Sequence, residues 1–105
     1  MTPGEVRDII EREIAGDRSR RNAHGCDFDR CLVEPHLVEF ENSGYPGATG
    51  TVVLWVVLEE DPESGDGYKI VFEEAAGKFG LAVPGERLPV YIGRYGSFLR
   101  TFDAM

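Results

Sequence analysis

The segment that most constrains the fold is an uninterrupted apolar run near the middle of the chain. Thr51 to Leu58 reads TVVLWVVL, with no polar residue after its first position. β-branched and aromatic residues favour extended backbone, so the run predicts a central β-strand. Because successive side chains of a strand point to opposite faces, both faces of this strand must be covered. We expect the N-terminal helix to cover one face, and the C-terminal segment or a second subunit to cover the other.

Helices and further strands are predicted on either side of this run. Thr2-Pro3-Gly4-Glu5 has the pattern of a capping box, and apolar residues then recur at helical spacing from Val6 to Ile14. Pro35 interrupts a strand-like segment and indicates a sheet edge or a bulge, so we expect this strand to be peripheral or broken. Ser97 is predicted to cap a short C-terminal helix after a break over residues 93–96. The further predicted strands are 31–40, 68–73, 79–83 and 88–92, with turns between them, one of which spans 42–47.

The short connections between these strands set the fold class. None is long enough for a helical crossover, so the sheet should be mainly antiparallel. A chain of 105 residues has room for one domain and not for two. We therefore expect a single α+β domain over residues 1–105, with an N-terminal helix packed on a mainly antiparallel sheet of about five strands and a short C-terminal helix.

The length of the apolar run and the net charge of the chain limit the environments and partners that we expect. The run is far shorter than the roughly 20 residues of a membrane span. The start of the chain has neither a basic region nor an apolar signal core, so we expect a cytoplasmic protein. The formal net charge is −8, from 11 basic and 19 acidic residues. Such a charge repels phosphate backbones and anionic lipid, so neither nucleic acid nor a membrane is an expected partner.

The negative charge is concentrated in the middle of the chain. Residues 37–75 carry nine acidic side chains and one basic side chain, Lys69. This stretch is either the solvated rim of a sheet or a docking face for a basic protein, because clustered like charge steers association. The arginines of residues 17–25 are expected to be solvated or to pair with this stretch. The candidate partner-binding residues are Glu59, Glu60, Asp61, Glu63, Asp66, Glu73 and Glu74.

Both histidines and both cysteines fall between residues 24 and 36. Zinc takes four such ligands, but their spacing here is not typical of a zinc knuckle. A reactive thiol is a further possibility, which Arg30 would favour and Asp27 and Asp29 would oppose. The structural interpretation is that Cys31 is a core residue at the start of a strand and Cys26 lies in the preceding turn. The alternative metal or thiol site consists of His24, Cys26, Cys31 and His36.

Other catalytic patterns are not found in the sequence. The acidic stretch from Asp61 lacks EF-hand spacing, because its sixth position is Asp66 and its twelfth is Phe72. No serine lies in a nucleophile elbow, and no glycine-rich phosphate loop precedes a helix. We therefore expect no cofactor, and an enzyme is the less favoured class.

The last third of the chain carries a resemblance. Residues 79–82, 93–99 and 102–105 read FGLA, GRYGSFL and FDAM, and they resemble small bacterial proteins of uncharacterised function. The resemblance implies a bacterial cytoplasmic setting and transfers no active site.

The functional expectation follows from the charge distribution. We expect a non-enzymatic protein-interaction module, of the inhibitor or immunity type, that recognises a basic protein. The alternative is a small metal- or thiol-dependent protein. A monomer is favoured over a homodimer, because the net charge is self-repelling and the apolar C-terminal helix needs a surface to bury its side chains.

Overall fold

The computed structural model describes residues 1–43 and 50–105, and the predicted turn over 42–47 lies mostly outside these ranges. The order of elements confirms an α+β fold with an N-terminal helix, a mainly antiparallel sheet and a short C-terminal helix. The helices are α1 (Pro3–Ile14), α2 (Phe28–Cys31) and α3 (Phe98–Ala104). The strands are β1 (Leu32–Asn42), β2 (Thr51–Glu59), β3 (Lys69–Glu73), β4 (Lys78–Val83) and β5 (Val90–Gly96). No helix in the described ranges has the length and apolar character to span a membrane.

The sheet closes into a barrel. Each strand pairs antiparallel with the next one, and β1 also pairs parallel with β5. This closing contact joins Glu41 to Val90 and Asn42 to Tyr91. The sequence analysis did not predict it, because two residue pairs between the first and last strands leave no local pattern.

The predicted N-terminal helix is confirmed down to its capping box. The Thr2 hydroxyl accepts a hydrogen bond from the Glu5 amide at 3.2 Å, and the Glu5 carboxylate accepts one from the Thr2 amide at 2.9 Å. These bonds lower the pKa of Glu5 from its ordinary value. The carboxylate of Glu13, near the other end of α1, accepts from the Phe98 and Leu99 amides at 3.0 and 3.2 Å. Glu13 thus joins α1 to the start of α3.

Three predicted boundaries were wrong, each where the backbone is irregular. β5 continues through the expected break to Gly96, because Gly93 and Gly96 adopt φ of 148° and 104° beside shifts in the β4–β5 register. Pro35 is buried within β1, where a register shift between Leu32 and His36 accommodates a residue with no amide proton, in agreement with the bulge and not with the edge or the break. The strand is therefore irregular, but it is neither broken nor at an edge. Cys31 ends α2 and does not start the strand.

Two apolar cores occupy opposite faces of the sheet. The outer core contains Trp55 and Phe72 together with buried residues of all three helices. The inner core draws on all five strands and no helix, so it fills the barrel. The prediction that the C-terminal segment covers the second face of β2 was therefore wrong, because α3 lies on the same face as α1 and closure of the barrel covers the other. The inner core consists of Phe40, Leu54, Val56, Val71, Ala82 and Tyr91.

Candidate functional site

The seven predicted partner-binding carboxylates do not form one surface. Five of them, from Glu59 to Asp66, lie at the end of β2 and in the connection to β3. Glu73 and Glu74 lie at the other end of β3. A strand of five residues spans about 15 Å, so the two groups can contact one partner only if it covers both ends of the strand.

Two of the seven carboxylates are neutralised by lysine or arginine side chains, and a third, Glu74, lies 3.6 Å from the amino group of Met1. Lys69 Nζ lies 2.5 Å from Glu59 Oε1, and both side chains are largely covered. Arg94 pairs with both carboxylate oxygens of Glu73, at 2.8 and 2.6 Å, and the Tyr91 hydroxyl donates to the same group at 3.1 Å. The Arg94 guanidinium is the main cause that holds the pKa of Glu73 below its ordinary value. Glu59 and Glu73 therefore contribute to the fold.

Glu60 fixes the segment around His24 against the start of β3. Its Oε1 accepts from the Tyr68 amide at 3.0 Å, and its Oε2 lies 3.0 Å from His24 Nδ1. The hydrogen bond from Tyr68 is the largest cause that lowers the pKa of Glu60, and the His24 ring adds to it. Gly67 makes room for this carboxylate, since a Cβ there would lie 2.6 Å from Glu60 Oε1. Its φ of +82° also suits glycine.

An open polar cleft of about 660 Å³ lies beside Glu60. His24 and Arg30 line it together with residues of the β2–β3 connection. We call Asp61, Glu63 and Asp66 of that connection the acidic loop. Asp61 accepts from the amides of Glu63 and Ser64 at 3.2 and 3.3 Å, and hydrogen bonds from Ser64 are the main cause that lowers its pKa.

Two carboxylates of the acidic loop have no ion-pair partner within the described chain. In the described part of the chain, the side chains of Glu63 and Asp66 form neither an ion pair nor a hydrogen bond. Arg30 forms no ion pair there either, and its guanidinium donates only to the Gly25 carbonyl, at 3.5 Å. The cleft thus carries carboxylates that have no ion-pair partner, and it also contains Arg30, whose positive charge adds to the lowering of the Asp61 pKa.

The arginines of residues 17–25 are not paired with the acidic middle. Arg18 contacts Glu11 of α1 at 2.7 Å, and Arg20 contacts Asp17 at 2.5 Å. Arg20 also contacts Asp103 of α3 at 3.0 Å. Of the two alternatives given for these arginines, pairing with the acidic middle does not occur for Arg18 and Arg20, because carboxylates of α1, α3 and their own loop lie closer.

The two cysteines are free thiols and both are fully buried. Burial is the largest cause that raises the pKa of Cys26 to about 12, and its hydrogen bond with Cys31 adds to that effect. Cys31 Sγ lies 3.7 Å from the Glu60 carbonyl oxygen. A thiol in this environment stays protonated near neutral pH and is a poor nucleophile. This geometry favours the structural interpretation of the pair.

The four residues of the alternative metal site do not converge. His24 lies at the cleft and the two thiols lie in the outer core. His36 is exposed on β1, with Nδ1 2.8 Å from the Glu34 carbonyl oxygen. Within residues 1–43 and 50–105, no three His, Cys, Asp or Glu side chains form a group that could hold a metal ion.

A second surface was missed by the sequence analysis. Leu37 and Val53 are 55% and 58% exposed on the outer face of the β1–β2 pair, and we call them the Leu37–Val53 patch. Leu37 lies opposite Trp55 in the register and Glu39 lies opposite Val53. Beside the patch, Trp55 Nε1 donates to Glu74 Oε1 at 3.1 Å. The apolar run predicted burial throughout, whereas the alternation of Leu37, Glu39 and Glu41 was the available signal of an exposed outer face.

Comparison of the chain with models of protein families, with curated proteins and with solved structures gives no match. In the described part of the chain, the geometry offers two candidate binding surfaces. One is the acidic loop with its cleft, and the other is the Leu37–Val53 patch.

Proposed function

We propose that the protein is a non-enzymatic interaction module that binds a basic protein through the acidic loop. One observation carries the proposal. The side chains of Glu63 and Asp66 stand at an open cleft and form no ion pair with a cation of the described chain, whereas Glu59 and Glu73 are each paired. A lysine or arginine of a partner would supply the missing positive charge. The same surface repels nucleic-acid phosphates and anionic lipid.

The unpaired negative charge of the acidic loop would speed the association of a basic partner. Three carboxylates within six residues raise the local negative potential, which attracts a cationic partner before contact. The attraction between exposed charges decays over about 8 Å at physiological ionic strength. We therefore expect the association rate to fall steeply with salt, while the dissociation rate changes less.

The cleft adds a geometric element to this charge. An extended lysine or arginine side chain could enter the cleft that the acidic loop lines together with His24 and Arg30. There its charged end would meet carboxylates, but it would also meet the unpaired guanidinium of Arg30. We therefore expect Arg30→Gln to strengthen binding of a basic partner, a result that a merely structural role for Arg30 does not produce.

The test compares two double variants of equal net charge. Glu63→Gln with Asp66→Asn removes the unpaired carboxylates, and Asp8→Asn with Glu86→Gln removes two exposed carboxylates elsewhere. Wild type and both variants are immobilised and incubated with an extract of the source cells. The proposal predicts that a basic protein is retained by the wild type and the control variant, is lost from the acidic-loop variant, and elutes at about 0.5 M salt.

Equal retention by the two double variants would contradict the proposal, as would capture that persists in high salt. Loss of folding is excluded by urea denaturation of each variant. Since like charges are removed, the acidic-loop variant should be at least as stable as the wild type.

A further inference from the structure

We infer that the Leu37–Val53 patch is a second docking surface, which takes an apolar side chain from a segment that also carries lysine or arginine. The inference goes beyond the proposed function, because it concerns another part of the barrel and requires an apolar contact. Leu37 and Val53 are two of the most exposed large apolar residues in the described chain. Single exposed apolar residues are ordinary on protein surfaces, but these two belong to one face of two paired strands.

The patch is uncovered because the outer face of the sheet is only partly covered by the helices. Along β2, residues from Leu54 to Leu58 are buried, whereas Val53 and Thr51 are exposed. Leu37 lies opposite Trp55, which is 7% exposed, so the patch begins where the outer core ends. The apolar surface is therefore continuous from the edge of the core to the exposed residues.

A groove of about 470 Å³ accompanies the patch. Leu37, Val53 and Trp55 contribute apolar surface to it, and Glu73 and Glu74 contribute carboxylates. Among the described residues that line it, the one cation is the amino group of Met1, which lies 3.6 Å from Glu74 Oε1. Glu74 is about half exposed while it accepts the indole N–H, so one side of its carboxylate faces solvent.

The charges at this surface identify the occupant. Glu39, opposite Val53, and Glu41, opposite Thr51, are exposed and form no ion pair in the described chain, so they place negative charge beside the apolar residues, and the half-exposed Glu74 adds to it although the Met1 amino group lies 3.6 Å away. A second copy docked symmetrically would bring the same carboxylates against each other, which is unfavourable. A segment with an apolar residue between lysines or arginines matches both features. We therefore assign the surface to a different, basic partner and take the protein itself as a monomer.

Trp55 provides a local measurement of binding. It is the only tryptophan in the chain, it lines the groove, and its indole contacts Glu74. The probes are three blocked peptides: KKLFKK, KKSSKK with the same charge, and EELFEE with the same apolar pair. We expect only KKLFKK to shift the emission of Trp55, with an affinity about tenfold or more above that of either control. Its binding should weaken as salt is added.

Variants then locate the site. Val53→Thr with Leu37→Gln should reduce the affinity for KKLFKK about tenfold, since both exposed apolar contacts are lost. Ile92→Thr, at an exposed apolar position on β5, should leave the affinity unchanged. Urea denaturation confirms that each variant is folded.

Several results would overturn the inference. One is equal binding of the three peptides. Another is that Ile92→Thr reduces the affinity for KKLFKK as much as the patch variant does. A third is sedimentation of a dimer that Val53→Thr dissociates, because that result would identify a second copy as the occupant. A loss of KKLFKK binding in Glu63→Gln with Asp66→Asn, with the patch variants unaffected, would place the peptide at the acidic loop. That outcome would refute the second surface and leave the proposed function standing.

Discussion

Substitution of Gly80 by alanine tests the closest approach between two strands of the barrel. A Cβ at Gly80 would lie 2.2 Å from the Gly93 carbonyl oxygen and 2.8 Å from Tyr91 Cε1. Real Cβ atoms essentially never approach closer than 3.0 Å, so β4 and β5 would have to separate locally by about 1 Å. The obstacle is backbone of the neighbouring strand, which cannot rotate away as a flexible side chain would.

The expected cost has two parts. Overpacking a well-filled site costs about 1 to 3 kcal/mol. A separation of about 1 Å also breaks a ladder hydrogen bond, which contributes about 1 kcal/mol net. The total of about 3 kcal/mol is a large fraction of the stability of a domain of this size. With a urea dependence of about 1.5 kcal/mol per molar, the midpoint should fall by about 2 M.

The assay is urea denaturation followed by Trp55 fluorescence and by far-ultraviolet circular dichroism. Gly16→Ala is the matched control, because a Cβ at Gly16 has no atom within 4 Å and its φ lies outside the left-handed region. The control should be neutral or stabilising by up to about 1 kcal/mol. If Gly80→Ala has the same midpoint as Gly16→Ala, then β4 and β5 do not approach as described and the argument from close packing fails.

Three further predictions concern the cap, an ion pair and the thiols. Thr2→Ala should lower the free energy of unfolding by about 1 kcal/mol, because the capping box is lost, and urea denaturation measures it. The pKa of Glu73 is lowered in the folded state, so its stabilisation is present at neutral pH and is lost as pH falls through the folded pKa. Glu73→Gln should therefore destabilise at neutral pH, by about 1 kcal/mol, and less in acid; urea midpoints across the acid range test this. Cys26 and Cys31 are buried, and the pKa of Cys26 is raised to about 12. At mildly alkaline pH, both thiols should therefore react with a thiol reagent only as fast as the protein opens. In denaturant they should react rapidly.

The local elements could be predicted from sequence because their causes are local. The capping pattern at Thr2 and the spacing of Val6 and Ile10 lie within one helix, and its observed bounds follow them. The apolar run likewise forms a strand, and Trp55 is buried as its pattern indicates. In these cases a few neighbouring residues determine the conformation.

The cover on each face of β2 could not be predicted, because it depends on contacts between distant parts of the chain. The apolar run from Thr51 to Leu58 indicated that both faces of β2 are covered, but it did not indicate that one of these faces lines the barrel interior. Closure depends on Asn42 meeting Tyr91, which are separated by almost half of the chain. The exposure of Val53 has the same origin, since it depends on where the helices end on the outer face.

The acidic residues of the candidate site could be predicted from the sequence, but their positions relative to one another and to the cations could not. Sequence places Glu59 and Glu73 in the same acidic stretch as Glu63. Only the pairing of β2 with β3 brings Lys69 to Glu59, and only the pairing of β4 with both β3 and β5 brings Arg94 to Glu73. Ion pairs across strands follow the register, which composition does not encode. The charge count therefore overstated the number of carboxylates that are free to meet a partner.

The distribution of the cations explains why the remaining carboxylates are free. Arg18 and Arg20 pair with carboxylates of nearby helices, which are held in place by the fold and need little further ordering. Lys69 and Arg94 are held on strands beside Glu59 and Glu73. Arg30, at the cleft, is the nearby cation that could have neutralised the acidic loop, yet it forms no ion pair in the described chain. Mobile counterions hold no fixed geometry, so a cation that a partner places in direct contact with this loop gains more there than at any carboxylate already paired.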